Sequence, residues 1–107
     1  MATIDHARND NGSFTWEGLT GSDVGADLNV PRGAIITTVQ LTGTFGGTVP
    51  IQGTVNGVDW FTLTDAQGNA AEATAASAIE LTTAARAIRP SAGAGVSDVD
   101  VHVAISA

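Results

Sequence analysis

Apolar and polar positions alternate with a period of two along much of the chain, most clearly near its C-terminal end. There Val99, Val101, Val103 and Ile105 fall on one side and Asp98, Asp100, His102 and Ala104 on the other. Successive side chains of an extended strand point to opposite faces, so this segment reads as a long strand with one buried face. Ser13 to Gly18 repeats the pattern, with Phe14 and Trp16 opposite Ser13, Thr15 and Glu17. From Ala34 to Phe45, Ile35, Val39 and Leu41 share a face with Thr37, and Thr38, Gln40, Thr42 and Thr44 take the other. Keeping that face in phase with Val49 and Ile51 across a hairpin needs a loop with an odd residue count. A bulged turn is therefore expected at Phe45-Gly46-Gly47.

Thr48 to Thr64 carries a second hairpin signal, because alternating runs flank Asn56-Gly57, a pair that takes positive φ at low cost. With a two-residue loop, Val55 faces Val58, Gly53 faces Trp60 and Ile51 faces Thr62, and the indole covers the bare glycine. A longer loop reverses the faces. In the two-residue register Phe61 and Leu63 lie away from Trp60, opposite Pro50 and Gln52. They are then covered by a loop or form an apolar patch that meets another subunit.

Between Ala70 and Ala87 propensity and period disagree. The alanines and glutamates favour helix, but Ile79 and Leu81, two apart, share a face only on a strand. A helix here would also have little but alanine to bury. Short strands are expected near Glu72 to Ala75, Ala78 to Thr82 and Ala85 to Arg89, with a helical turn as the alternative. In all, about eight strands with no helix-length stripe between them predict an all-β, antiparallel β-sandwich of the jelly-roll kind. Residues 13–107 form that single domain, and residues 1–12 read as an N-terminal arm, either frayed or docked on a neighbouring subunit.

Eleven acidic residues against four arginines and no lysine give a net charge of −7. That balance repels phosphate backbones and anionic lipid, so neither nucleic acid nor membrane is an expected partner. The chain has no cysteine, which excludes disulfides and thiolate metal sites. The first twelve residues lack the apolar run of a signal peptide, and a cytoplasmic site of synthesis is expected.

Candidate chemistry is sparse. Asp98, Asp100 and His102 resemble a ligand set, but along a strand they are about 6.5 Å apart and read as a solvated face. Asp65 to Asn69 lacks the closing glutamate of a calcium loop and reads as a turn. His6 and His102 fall in the arm and on the solvent face, no Gly-x-Ser-x-Gly elbow exists, and Gly93-Ala94-Gly95 precedes a strand rather than opening a helix. No enzyme activity, metal or cofactor is expected. Arg86 and Arg89 hold half the positive charge. They either pair with nearby surface carboxylates or make bidentate contacts across a protein interface.

The order of these features, Thr48-Val-Pro-Ile-Gln-Gly-Thr-Val-Asn-Gly-Val-Asp-Trp-Phe-Thr-Leu-Thr-Asp65, Gln67-Gly68-Asn69-Ala70, Ala85-Arg86-Ala87-Ile88-Arg89-Pro90 and the valine strand, resembles small head decoration (capsid cement) proteins of tailed bacteriophages. The likeness runs from about Ala34 to Ile105. It implies a protein without chemistry of its own, made in the host cytoplasm and carried on the outer surface of the virion head. There it would bind the major capsid protein and bridge its subunits, as a homo-oligomer, a trimer being favoured. Phe61, Leu63, Arg86 and Arg89 are the expected capsid or subunit contacts. The Asn-Gly-Val-Asp-Trp turn and Ile88-Arg89 also look like galactose-binding-like (discoidin-type) jelly rolls, which implies the alternative of a carbohydrate-binding module.

Overall fold

A computed structural model describes residues 2–10, 12–30, 36–81 and 85–106. Twelve strands account for the regular structure: β1 (Thr3–Ile4), β2 (His6–Arg8), β3 (Phe14–Leu19), β4 (Val24–Gly25), β5 (Leu28–Asn29), β6 (Ile36–Thr44), β7 (Val49–Thr54), β8 (Phe61–Thr62), β9 (Glu72–Ala73), β10 (Ser77–Leu81), β11 (Ala87–Pro90) and β12 (Asp98–Ser106). No helix occurs among the described residues. Within the alanine-rich stretch Ser77–Leu81 is extended, as Ile79 and Leu81 demand: β10 pairs antiparallel with β6, Ile79 opposite Val39 and Leu81 opposite Thr37, and the expected strand end at Thr82 lies outside the described residues.

One sheet has the order β10-β6-β12-β3-β2, and the other β5-β11-β7-β8 with β9 continuing along the same strand β7. Taking β8 and β9 as one interrupted strand and setting aside the short β1, β2 and β4, eight main strands remain. In chain order the sheets then read first-eighth-third-sixth and second-seventh-fourth-fifth. This is the strand order of a jelly roll, the sandwich expected from the alternation. The additional strands lie at the margins. The segment read as an arm runs along its own domain: β2 is an edge strand beside β3, β1 pairs in parallel with β4, and Ile4 packs on the core.

The core lies between the inner faces. Trp16, Leu19, Val39, Leu41, Val99, Val101 and Val103 come from one sheet, and Val49, Ile51, Leu63 and Ile88 from the other. β12 sits at the centre of the first sheet, paired on both sides, which explains why its valines are so thoroughly buried. Thr37 is buried among the apolar residues of β6, as its phase requires, and Ile35 lies outside the described residues.

Two expectations about connections are overturned. No hairpin joins β6 and β7; they belong to opposite sheets, and residues 45–48 cross between them. An apolar face in phase across the loop satisfies either arrangement, because Val49 and Ile51 can lie beside Val39 and Leu41 or face them. The glycines serve close packing instead of a bulged turn: a Cβ at Gly46 would lie 2.3 Å from the Gly95 carbonyl oxygen, and one at Gly47 2.4 Å from that of Ala94.

The Asn56-Gly57 hairpin exists, but its register is shifted by one. Gln52 pairs with Thr62 and Gly53 with Phe61, leaving residues 55–59 as the loop. Gly57 has φ of +82°, whereas Asn56 is not in the positive-φ region, so the two-residue turn does not form. Side chains close the longer loop instead. The Asn56 carboxamide oxygen accepts from the amides of Val58 (2.8 Å) and Asp59 (2.9 Å), and Thr54 Oγ1 accepts from the Gly57 amide (3.0 Å).

Candidate functional site

The register shift decides which side chains of this hairpin are exposed. Leu63 turns inward and is 1% exposed, so the expectation that it lies on a surface patch is corrected. It fills the place over Gly53 expected for Trp60, where a Cβ would come 2.6 Å from Leu63 Cδ2. Phe61 stays 44% exposed, and the lengthened loop carries Val55 and Val58 at 57% and 76%. These three large exposed hydrophobic side chains gather in one hairpin. A two-residue loop sets Val55 against Val58 on the side of Ile51; the longer loop forms because Asn56 closes it through its side chain.

Trp60 turns outward, half-buried. The Arg89 guanidinium carbon lies 4.1 Å from its ring centroid, and Arg89 Nε donates to Gln52 Oε1 at 2.9 Å. Strand pairing sets Arg89 opposite Gln52, so both point to the outer face while Ile88 and Pro90 point in. Arg86 is exposed just before β11, and its amide donates to the Thr54 carbonyl at 2.8 Å, which places it at the root of the loop. The structure thus brings Phe61, Arg86 and Arg89 to one end of one sheet, with Arg89 on the outer face and Phe61, opposite Gly53 and in phase with Leu63, on the inner-facing side. It does not bring Leu63 to that surface.

The outer face of the other sheet holds an open groove of about 340 Å³ lined by Asp5, Asn9, Thr15, Glu17, Asp100 and His102, among others. Its polar groups are largely engaged in the fold. His102 lies between two hydroxyls, Nδ1 3.0 Å from Thr15 Oγ1 and Nε2 3.2 Å from Thr42 Oγ1. Between its pairings with Val99 and Val101 of β12, β3 carries one extra residue, a bulge in which Gly18 adopts φ of +75°. The Gly18 amide donates to Asp100 Oδ1 at 2.9 Å. Among the described residues no group of three histidine or acidic side chains is arranged to hold a metal ion. Asp65 likewise closes its own turn, its Oδ1 accepting from the amides of Gln67 and Asn69 at 2.9 Å each.

Asp23, 7% exposed, ties the first residues to the sandwich. Its carboxylate accepts from the Thr20 amide (2.9 Å), the Thr20 hydroxyl (2.9 Å) and the Ala2 amide (3.1 Å). The Thr20 amide and then its hydroxyl are the chief causes that hold the Asp23 carboxyl below its ordinary value of 3.8; burial opposes them, and the Ala2 amide adds a smaller lowering. A depressed carboxyl binds its proton more readily in the unfolded chain, so its contribution is complete above pH 3.8 and lost as pH falls through the lower folded value. Asp23→Asn is expected to reduce the melting temperature at neutral pH, with the difference from the parent closing in strong acid. Thermal melts across that range check the sign; a gap that widens on acidification contradicts it.

No family model matches the chain, and no similar curated protein or solved structure was found.

Proposed function

We propose that the protein is a phage capsid decoration protein that binds the outer surface of the assembled head and stabilises it by bridging capsid subunits. The observation that carries this reading is the collection of Val55, Val58 and Phe61, exposed, at one end of a rigid sandwich. An exposed apolar cluster edged by aromatic and arginine side chains has the composition of a protein-binding surface. The resemblance of Thr48 to Asp65 and Ala85 to Pro90 to head decoration proteins supplies the partner. Stabilisation would follow from mass action: a ligand that binds only the assembled lattice contributes about 2.7 kcal/mol per site at a hundredfold excess over Kd. Trimers would add avidity by making the second and third contacts intramolecular.

The carbohydrate-binding alternative has less support. Trp16 is buried, and one face of Trp60 carries Arg89. Mixing the purified protein with expanded heads that lack it, then measuring co-sedimentation and heat resistance, tests the proposal. The parent protein is expected to sediment with the heads and raise their disruption temperature, and Phe61→Ser to weaken association about tenfold or more while keeping its fold. Absence of association, with binding to a glycan array, favours the carbohydrate reading.

A further inference from the structure

Among the described residues, Arg89 is the arginine that the fold holds in place. Trp60 lies against one face of its guanidinium and Gln52 accepts from its Nε, while Arg8 and Arg86 are exposed. A guanidinium has five N–H donors. Gln52 takes the one on Nε, which leaves the four on the two terminal nitrogens, the fork that matches both oxygens of a carboxylate. All eleven aspartates and glutamates of the chain are among the described residues, yet none pairs with Arg89. In a chain of net charge −7, an oriented cation on the outer face of this sheet is left, among the described residues, without an anion.

We propose that this outer face docks a partner protein through an aspartate or glutamate whose carboxylate forks with the terminal amino groups of Arg89. The Trp60 ring, stacked on one face of the guanidinium, shields that face from water. Charge complementarity selects the occupant. Covering a half-buried guanidinium with apolar protein alone leaves its donors unpaired, whereas a carboxylate in the same place satisfies them. A polyanion such as nucleic acid meets the net negative charge of the whole chain, but a single carboxylate set in an apolar protein surface meets mainly the local field of Arg89. Stacking and the Gln52 bond have already restricted the side chain, so the entropy cost of ordering it on binding is reduced. The identity of the partner as the capsid shell rests on the decoration reading; the chemistry of the fork does not.

Arg86 provides an internal control, because it is an arginine of the same chain without a shelf. Titrating the protein with N-acetylglutamate methylamide while following the side-chain Nε–H signals of Arg89 and Arg86 by NMR compares the two directly. Arg89 is expected to saturate at a concentration about threefold or more below that for Arg86, with the Trp60 indole signal moving in step. Gln52→Ala is expected to bring Arg89 to the Arg86 value, and Arg89→Gln to remove the movement of the Trp60 signal. Equal response of the two arginines in the parent, or an Arg89 response unchanged by Gln52→Ala, overturns the fork. With expanded heads, Arg89→Lys at matched melting temperature is expected to weaken association about tenfold, since an ammonium cannot fork. Heads that bind the parent and Arg89→Lys equally overturn this face as the docking surface and leave decoration standing. Heads that bind neither, with the titration behaving as expected, remove decoration and leave the carboxylate fork.

Discussion

Trp16→Ala is expected to remove about 4–8 kcal/mol of the domain's stability. Trp16 is 1% exposed on the inner face of β3, opposite Val101 of the central strand. Its indole N–H donates to the Ala26 carbonyl at 3.0 Å, and His6 meets the ring edge-on at 5.6 Å between centroids. The fold makes room for the ring at Gly25, where a Cβ would lie 2.7 Å from the indole nitrogen and 2.5 Å from Pro90 Cδ. Truncating a buried tryptophan costs about 3–5 kcal/mol through lost transfer energy and the cavity left behind. Leaving the Ala26 carbonyl without its donor adds about 1–3 kcal/mol if water does not reach it. Together about 4–8 kcal/mol, this loss matches the lower half of the 5–15 kcal/mol that holds a domain together. Trp16→Phe keeps most of the volume and loses the hydrogen bond, so it is expected to fall between parent and alanine variant. Denaturant unfolding followed by far-UV circular dichroism measures all three, and a loss below about 2 kcal/mol for Trp16→Ala would remove the residue from the centre of the core.

Why the sequence foretold this core and yet misplaced the exposed apolar residues of the hairpin can be seen in two segments. On β12 a nine-residue alternation admits one phase, since a shift by one would bury Asp98, Asp100 and His102 and expose four apolar residues. The same holds for Trp16 on β3 and for Val39 and Leu41 on β6. Burial is a property of the phase, and the phase is written in the sequence. The hairpin between Ile51 and Leu63 is different, because both phases offer apolar residues to the core: Trp60 and Val58 in one, Phe61 and Leu63 in the other. The choice rests on loop closure. Asn56 bonds to the Val58 and Asp59 amides through its side chain, a five-residue solution that competes with the positive-φ pair, and an Asn-Gly dipeptide suits either. One residue of slip then exchanges Trp60 for Leu63 in the core, exposes Val55 and Val58, and sets the indole beneath Arg89. Both arginines were visible as candidates from sequence. The shelf that orients one of them was not, since Gln52, Trp60 and Arg89 meet only once two strand registers are known. The crossing of residues 45–48 between sheets was hidden for a related reason: in-phase apolar residues do not distinguish neighbours in one sheet from opposites across two.

Gly43→Ala is expected to lower stability by about 3 kcal/mol or more, although Gly43 is exposed and lacks a side chain to lose. It stands on β6 opposite Val99 of β12 with φ of +120°, a conformation that residues with a Cβ rarely adopt. The space is closed as well. A Cβ there would come 2.2 Å from the Asp98 carbonyl oxygen and 3.1 Å from the Val99 α-carbon. Both atoms belong to the backbone of the central strand, so neither yields by a rotamer change, and relief requires parting β6 from β12 at this end. Parting them loosens the ladder that carries Asp98, Val99 and Asp100, with the crossing at residues 45–48 immediately beyond. At about 4–8 °C per kcal/mol for a domain near this length, 3 kcal/mol corresponds to roughly 12–24 °C in the melting temperature. Thr44→Ala, an exposed change one residue away, is the control and is expected to fall within about 0.5 kcal/mol of the parent. Amide exchange should report the same event locally, with protection lost first across the Gly43–Val99 pairing while the Val39–Val103 pairing holds. A Gly43→Ala protein that melts with Thr44→Ala and keeps its protection at Val99 would show that β6 leaves this conformation at little cost, and the close approach of the two strands would lose its claim on glycine.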